Sequence, residues 1–237
     1  MNALTSGKSA SAPAVPLHRM KVAKIADFPG NNAGWDAPPW NDVMPAAIER
    51  AMGGKPPGAP SVSVKVVHDD SALYVIFRCM DSHVRSVVTE YQGSVCADSC
   101  VEFFFAPGPG IADGYFNLEI NAGGTALFCH QKARGVNVRP VPACDFAAIR
   151  ISHSLPDVVD PELNVQTEWF VEFRLPMAVV EKHAPSFARP APGTVWRANF
   201  YKCGDRTSLP HWLTWAPVDL PYADFHRPEF FGELVFG

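Results

Sequence analysis

The chain has 237 residues, 47% of them hydrophobic and 19% charged, with a formal net charge of −4. That apolar content argues against disorder, and the acidic balance, with a pI near 6.0, argues against the basic patch of a nucleic-acid binder. No run approaches the ~18 consecutive apolar residues of a membrane span. A chain of this length buries about 70–75% of its unfolded surface, so its core needs neither metal nor disulfide.

The first segment, MNALTSGKSASAPAVPLHRM, is rich in Ser, Ala and Pro. It lacks the apolar run of a secretory signal. Residues 1–20 are expected to form a flexible segment and residues 21–237 a single domain. As written, the chain reads as cytoplasmic, with export open if the start is incomplete. The six cysteines, Cys79, Cys96, Cys100, Cys129, Cys144 and Cys203, are widely scattered and read as reduced thiols rather than a disulfide framework.

WNDVMPAAIERAM (40–52) predicts a short helix starting near Pro45. After the turn-rich GGKPPGAPS (53–61), SVSVKVVH (61–68) and SALYVIFRCM (71–80) alternate about a polar Asp69-Asp70-Ser71 turn and read as a hairpin. Further strands are predicted at 100–107, 115–121, 125–131, 146–152, 165–175 and 194–202, with WLTWAPV and GELVF closing the chain. PMAVVEKHA (176–184) predicts one or two helical turns with Pro176 at the first helical position. Nine to eleven strands without intervening long helices exclude repeated βαβ units. The expectation is an all-β, antiparallel β-sandwich, jelly-roll-like, with one or two short helices.

Alternation places Val101, Phe103 and Phe105 on one face of their strand and Glu102 and Phe104 on the other. In the same way Asn117, Glu119 and Asn121, Glu172 and Arg174, and Arg197, Asn199 and Tyr201 oppose apolar partners. The simplest reading is solvent-facing alternation. The sharper one is a polar sheet floor whose carboxylates, amides and guanidinium groups match the donors and acceptors of a hydroxyl-rich ligand. Glu102 with Glu119 or Glu172 would also supply the carboxylate pair of a glycoside hydrolase, which acts across about 5–10 Å. Asp69, Asp70, Asp81, Asp98 and Asp113 stand at expected strand ends and leave calcium open, with solvated loop carboxylates as the alternative. The sequence has no nucleophile elbow, P-loop, H-E-x-x-H or C-x-x-C motif.

Five strings carry more: ADSCVEFFFAP (97–107), YFNLEINAGGTALF (115–128), RANFYKCGD (197–205), LTWAPV (213–218) and FHRPEFFGELVF (225–236). In this order and spacing, with WDAPPW (35–40) upstream, they resemble the family 9 carbohydrate-binding modules of the wider DOMON-like group, its stand-alone members most. The resemblance spans roughly residues 21–237. It implies a non-catalytic β-sandwich associated with carbohydrate catabolism, binding a mono- or oligosaccharide and structural calcium. It leaves open an association with a glycan-degrading enzyme, and implies no nucleic-acid or membrane partner.

Family members grip a sugar between two tryptophans, with carboxylates and amides on its hydroxyls. The family's glutamate matches Glu102. Its asparagines match Asn121 and, approximately, Asn199 with Tyr201 beside it. One tryptophan position falls near Cys96 and the other at Phe225. Trp35, Trp40, Trp212 or Trp215 could supply a substitute platform. Glu102, Asn121, Asn199, Tyr201, Phe225 and Arg227 are therefore the expected ligand-binding residues, Phe225 by stacking and Glu102, Asn199 and Arg227 by hydrogen bonds. Haem binders in the wider group make Met80 and His83 a further pair to place.

Overall fold

Period-two alternation gives each strand one apolar face, and two such sheets bury those faces against each other. The computed structural model describes residues 17–28, 30 and 34–237. Among them the strands are β1 (Arg19–Lys24), β2 (Ala46–Ala47), β3 (Arg50–Ala51), β4 (Ser61–His68), β5 (Ala72–Asp81), β6 (Val84–Ser86), β7 (Cys100–Ala106), β8 (Tyr115–Asn121), β9 (Ala126–Gln131), β10 (Arg139–Pro140), β11 (Arg150–His153), β12 (Val159–Leu163), β13 (Thr167–Pro176), β14 (Val195–Cys203), β15 (Trp212–Thr214) and β16 (Gly232–Phe236). The helices are α1 (Ala143–Phe146) and α2 (Met177–His183).

The first sheet is ordered β10-β9-β8-β7-β14-β16-β1 and the second β1-β4-β5-β13-β11. Every neighbouring pair on these paths is antiparallel except those of β1. That strand runs parallel to β16 through Arg19–Val22 and parallel to β4 through Ala23–Lys24, so it joins the two sheets. The core between them takes Val64, Val75, Phe77, Val171 and Phe173 from the second sheet and Val101, Phe103, Phe105, Phe116, Trp196 and Phe200 from the first. Phe103 stacks on Phe105 at 4.5 Å and on Phe200 at 5.0 Å between ring centroids. Burying each such side chain contributes about 1.5–3 kcal/mol.

One polar contact crosses this core. Lys202 on β14 is fully buried, and its Nζ donates to His211 Nε2 at 2.7 Å. Asp81 Oδ2 on β5 lies 3.2 Å from the same nitrogen. His211 Nδ1 donates to the Leu209 carbonyl at 2.7 Å, which leaves Nε2 as the acceptor.

The long strands stand where alternation predicted them, and the additional ones are mostly two or three residues long. Four local readings change. Residues 40–52 form a 3-10 turn (Trp40–Asp42) followed by β2 and β3 instead of a helix, because β2 pairs with β4 and β3 with β15. Tertiary pairing overrides local helix preference there. The strand expected at 146–152 starts only at Arg150, because Phe146 closes α1 and stacks on Tyr91 at 4.2 Å. Pro176 precedes α2 as its cap. Lastly, β1 begins at Arg19, inside the segment expected to be flexible; residues 1–16 of that segment lie outside the described residues.

Between β8 and β9 the Gly123-Gly124 turn needs both glycines. Gly124 has φ +84°, and a Cβ on Gly123 would stand 2.0 Å from the Asp157 carbonyl.

Candidate functional site

The outer face of the first sheet is not an ordinary wet face. β7 presents Cys100, Glu102 and Phe104 there, β8 presents Tyr115, Asn117 and Glu119, and β14 presents Tyr201 and Cys203, all of them buried. The chain between β15 and β16 folds back over this face. Phe225 and Phe231 pack with Phe104, Tyr115 and Tyr201 in an apolar cluster separate from the main core. Phe225 stacks on Tyr201 at 4.1 Å and 13°, and the Tyr201 hydroxyl donates to the Phe225 carbonyl at 3.1 Å. One residue thus holds both the ring and the backbone of Phe225.

Beside this cluster lies a cavity of about 270 Å³ lined by Cys96, Glu102, Glu119, Arg134, Cys203, Asp205, Trp212, Ala223, Asp224, Phe225 and His226. A second space of about 290 Å³ shares Cys96, Glu119, Arg134 and His226 with it and extends over Asn117, Cys129 and Gln131. The strand register explains the centre. Glu102 stands directly across from Glu119 on one side and from Tyr201 on the other.

Two facing carboxylates in a buried setting repel, and burial disfavours their charged forms. Burial first, then the Glu119 charge, pushes Glu102 well above the usual carboxylate range. Burial raises Glu119 to about 7, against a hydrogen bond from Asn117 that favours its ionised form. Asp205 is raised by burial as well. The Cys203 thiol donates to Glu102 Oε1 at 3.1 Å, the Asn117 amide to Glu119 Oε1 at 3.0 Å, and the Trp212 indole to Asp205 Oδ1 at 2.8 Å. Arg134 pairs with Asp224 at 3.0 Å.

A hydrogen-bonded chain supports the wall. Gln131 Nε2 donates to Asn117 Oδ1 at 2.8 Å and to His226 Nδ1 at 3.2 Å. An imidazole nitrogen that accepts from an amide carries no proton, so the His226 proton resides on Nε2. Burial, reinforced by the Arg134 charge, lowers His226 to about 4 and keeps it neutral at pH 7.

Of the expected ligand residues, Glu102 and Phe225 line the cavity, and Tyr201 backs it through Phe225. The other three lie elsewhere. Asn199 is saturated by backbone: its Oδ1 accepts from Phe200 N and Ala216 N at 2.9 and 2.8 Å, and its Nδ2 donates to the Ala216 carbonyl at 3.1 Å. Asn121 donates to the Val88 carbonyl and to Asp98, and accepts from Thr125 N. Arg227 pairs with Glu229 at 2.6 Å. Buried amides of this kind satisfy backbone groups that would otherwise be orphaned.

Among the tryptophans only Trp212 reaches the cavity. Trp215 is in the core, and Trp35 and Trp40 sit on the outer face of the second sheet. Glu172 is on that second face too, where Trp40 Nε1 donates to it at 3.0 Å, so it is not a partner for Glu102. A wider depression of about 820 Å³ on that side is lined by Phe28, Tyr74, Arg150 and Arg174 among others, with no carboxylate among the described residues of its lining.

The residues that sequence reasoning missed are Arg134, Asp205, Asp224 and His226. All four are in loops, where period-two logic says nothing about facing. Cys203 alone carried a signal, since alternation sets it beside Tyr201.

The carboxylates raised for calcium do not fit a calcium cage. Asp69 accepts from Ser71, Ala72 and Tyr74; Asp98 accepts from Arg85, Val87, Val88 and Asn121; Asp81 faces Lys202. Asp70 pairs with Lys24, and Asp113 accepts from Ser186. Among the described residues one group could hold a metal: Cys100, Glu102 and Cys203, whose ligand atoms lie within 4.8 Å of one another. Two sulfurs suit a thiophilic ion rather than calcium. The hydrogen bond with Cys100 and burial raise the Cys203 thiol, and burial raises Cys100 to about 12, so both are protonated at pH 7. His83 of the haem pair hydrogen-bonds Asn164 at 3.0 Å.

Comparison with known proteins matches residues 41–236 to the family described as carbohydrate-binding family 9. A Bacteroides uniformis protein, provisionally described as carbohydrate-binding, is 26% identical with a TM-score of 0.80, over 93% of this chain and all of that one. A family 9 module of Caldicellulosiruptor kristjanssonii is similar in fold. Solved with cellotriose it is 15% identical, TM-score 0.61, over 92% of this chain and 93% of the other. Solved with glucose it is 14% identical, TM-score 0.61, over 93% and 96%. No curated protein sequence matches the chain.

Proposed function

The chain belongs to carbohydrate-binding family 9, and we propose that it holds a sugar in the cavity between Glu102, Glu119 and the Trp212 and Phe225 rings. The observation that carries this reading is the juxtaposition of buried carboxylates with two aromatic side chains in one cavity. Carboxylate oxygens accept from sugar hydroxyls, Arg134 and His226 Nε2–H supply donors, and aromatic rings cover the apolar face of the sugar ring. The C. kristjanssonii module with glucose and cellotriose supports a sugar ligand. Hydrolysis of the bound glycan would fall to a separate catalytic chain.

A glycan array probed with the full chain tests this. Binding to a related set of sugars is expected. A hydrogen bond contributes about 0.5–1.5 kcal/mol net, so Glu102→Gln, which puts an amide in place of one carboxyl oxygen, should weaken binding by about three-fold or more while the melt stays cooperative. A blank array, or an unchanged affinity for Glu102→Gln, overturns the assignment.

One observation favours a second reading. Glu102 and Glu119 face each other with raised proton affinities, as the paired carboxylates of a hydrolase do. Turnover of chromogenic glycosides by the full chain would establish it, and an untouched panel eliminates it.

A further inference from the structure

We propose that the cavity selects an amino sugar, a hexose whose protonated amine sits between Glu102 and Glu119. The inference rests on the sugar-binding reading of this cavity and names the ligand class within it.

The argument begins with charge. Glu102, Glu119 and Asp205 all line the same cavity, and the first two are only 2% and 6% exposed. Among the described residues no Lys, Arg or His lies within ion-pair distance of any of the three. Arg134, the one cationic side chain in the lining, is engaged by Asp224 at 3.0 Å. Lys202, buried on the same strand as Cys203, points to the opposite side of β14 and is committed to Asp81 and His211. His226 is neutral, because its Nδ1 accepts from Gln131 and burial disfavours its charged form.

Donors come next. The protein supplies each facing glutamate with one donor, the Cys203 thiol for Glu102 Oε1 and the Asn117 amide for Glu119 Oε1. Each carboxylate therefore keeps its second oxygen for something else. A neutral sugar offers hydroxyls to these oxygens but does nothing to offset the repulsion that makes the facing pair retain a proton. An ammonium group offers up to three N–H donors and also cancels that repulsion, and charge-assisted bonds are roughly twice as strong as neutral ones. The Trp212 and Phe225 rings then cover the sugar ring and add attraction for a cation.

The test is calorimetric titration of the full chain at neutral pH, physiological salt and with a chelator present. The probes are methyl glucoside, its 2-amino-2-deoxy analogue, the N-acetylated form of that analogue, and cyclohexylamine. The amino sugar is expected to bind about ten-fold or more tighter than the glucoside and the N-acetylated form. Glu119→Gln should bring the three sugars within about two-fold of one another. Asp205→Asn, which keeps an acceptor for the Trp212 indole, is a second variant expected to shrink the preference if Glu119→Gln fails to fold. Equal or tighter binding of the glucoside overturns the proposal while leaving the sugar site intact. Equal binding of cyclohexylamine overturns it by showing recognition of charge alone. Binding of none of the sugars overturns both readings.

Discussion

Burial opposite Glu102 raises the Glu119 carboxyl to about 7, above an unfolded value of 4.5. The folded chain therefore holds this proton over a range where the unfolded chain has lost it. Between pH 4.5 and about 7 the folded state binds more protons at this site, so the Glu119 contribution to stability falls as pH rises and levels off beyond. A tenfold change in proton affinity corresponds to about 1.4 kcal/mol, which puts the loss at a few kcal/mol. Glu119→Gln keeps an acceptor for the Asn117 amide and removes the titration. It should melt above the parent at pH 8, with the difference shrinking toward pH 4.5; thermal melts across that range check it, and a pH-independent difference would exclude this origin. Glu102 and Glu119 were readable as neighbours in waiting, because both fall on the polar face of their strands. That they face each other, and that the face is buried, depended on register and on the covering C-terminal chain.

At the scale of elements, β5 and β14 belong to different sheets yet meet through Asp81 and Lys202. Both side chains are essentially unexposed, so neither charge is screened by water. Asp81→Ala leaves the Lys202 ammonium buried with a neutral imidazole as its side-chain partner: burial, then Lys202 itself, lowers His211 to about 3. Stranding one member of a buried pair costs about 3–5 kcal/mol. Chemical denaturation should show that loss for Asp81→Ala. The double variant Asp81→Ala/Lys202→Met should recover much of it, because no charge is then stranded. Lys202 lies on the same face of its strand as Trp196 and Phe200, the face that meets the core. Its partner, from a strand 121 positions earlier, was not readable (Lys202 minus Asp81).

For the whole molecule, closure depends on β1. Arg19–Val22 extends the first sheet, Ala23–Lys24 extends the second, and Val22 is fully buried between them. The Gly237 amide donates to the Val22 carbonyl at 2.9 Å, so this strand also anchors the end of β16. The family match starts at residue 41, yet the sandwich is completed by these upstream residues. A chain starting at Ile25 exposes an edge on both sheets and one side of the core. Its melt should move down by about 10 °C or more, on the order of several kcal/mol for a chain of this size, or lose cooperativity. An unchanged melt would show that β1 only decorates the sandwich.

Alternation by itself determined most of the strands, which face of each is apolar, and hence the two-sheet architecture, because side-chain direction in a strand has a period of two whatever lies nearby. It also placed Glu102, Glu119 and Tyr201 on the polar side of their strands. Only the tertiary structure decided which strands share a sheet, so Glu172 parted from Glu102 although both had read as polar-face residues. Only it decided that Asn121 and Asn199 serve backbone groups, and that Trp212 rather than Trp35, Trp40 or Trp215 reaches the cavity. Arg134, Asp205, Asp224 and His226 come from loops whose paths are set by what they pack against. No local pattern encodes that packing, and the cavity exists only where those loops converge on the sheet.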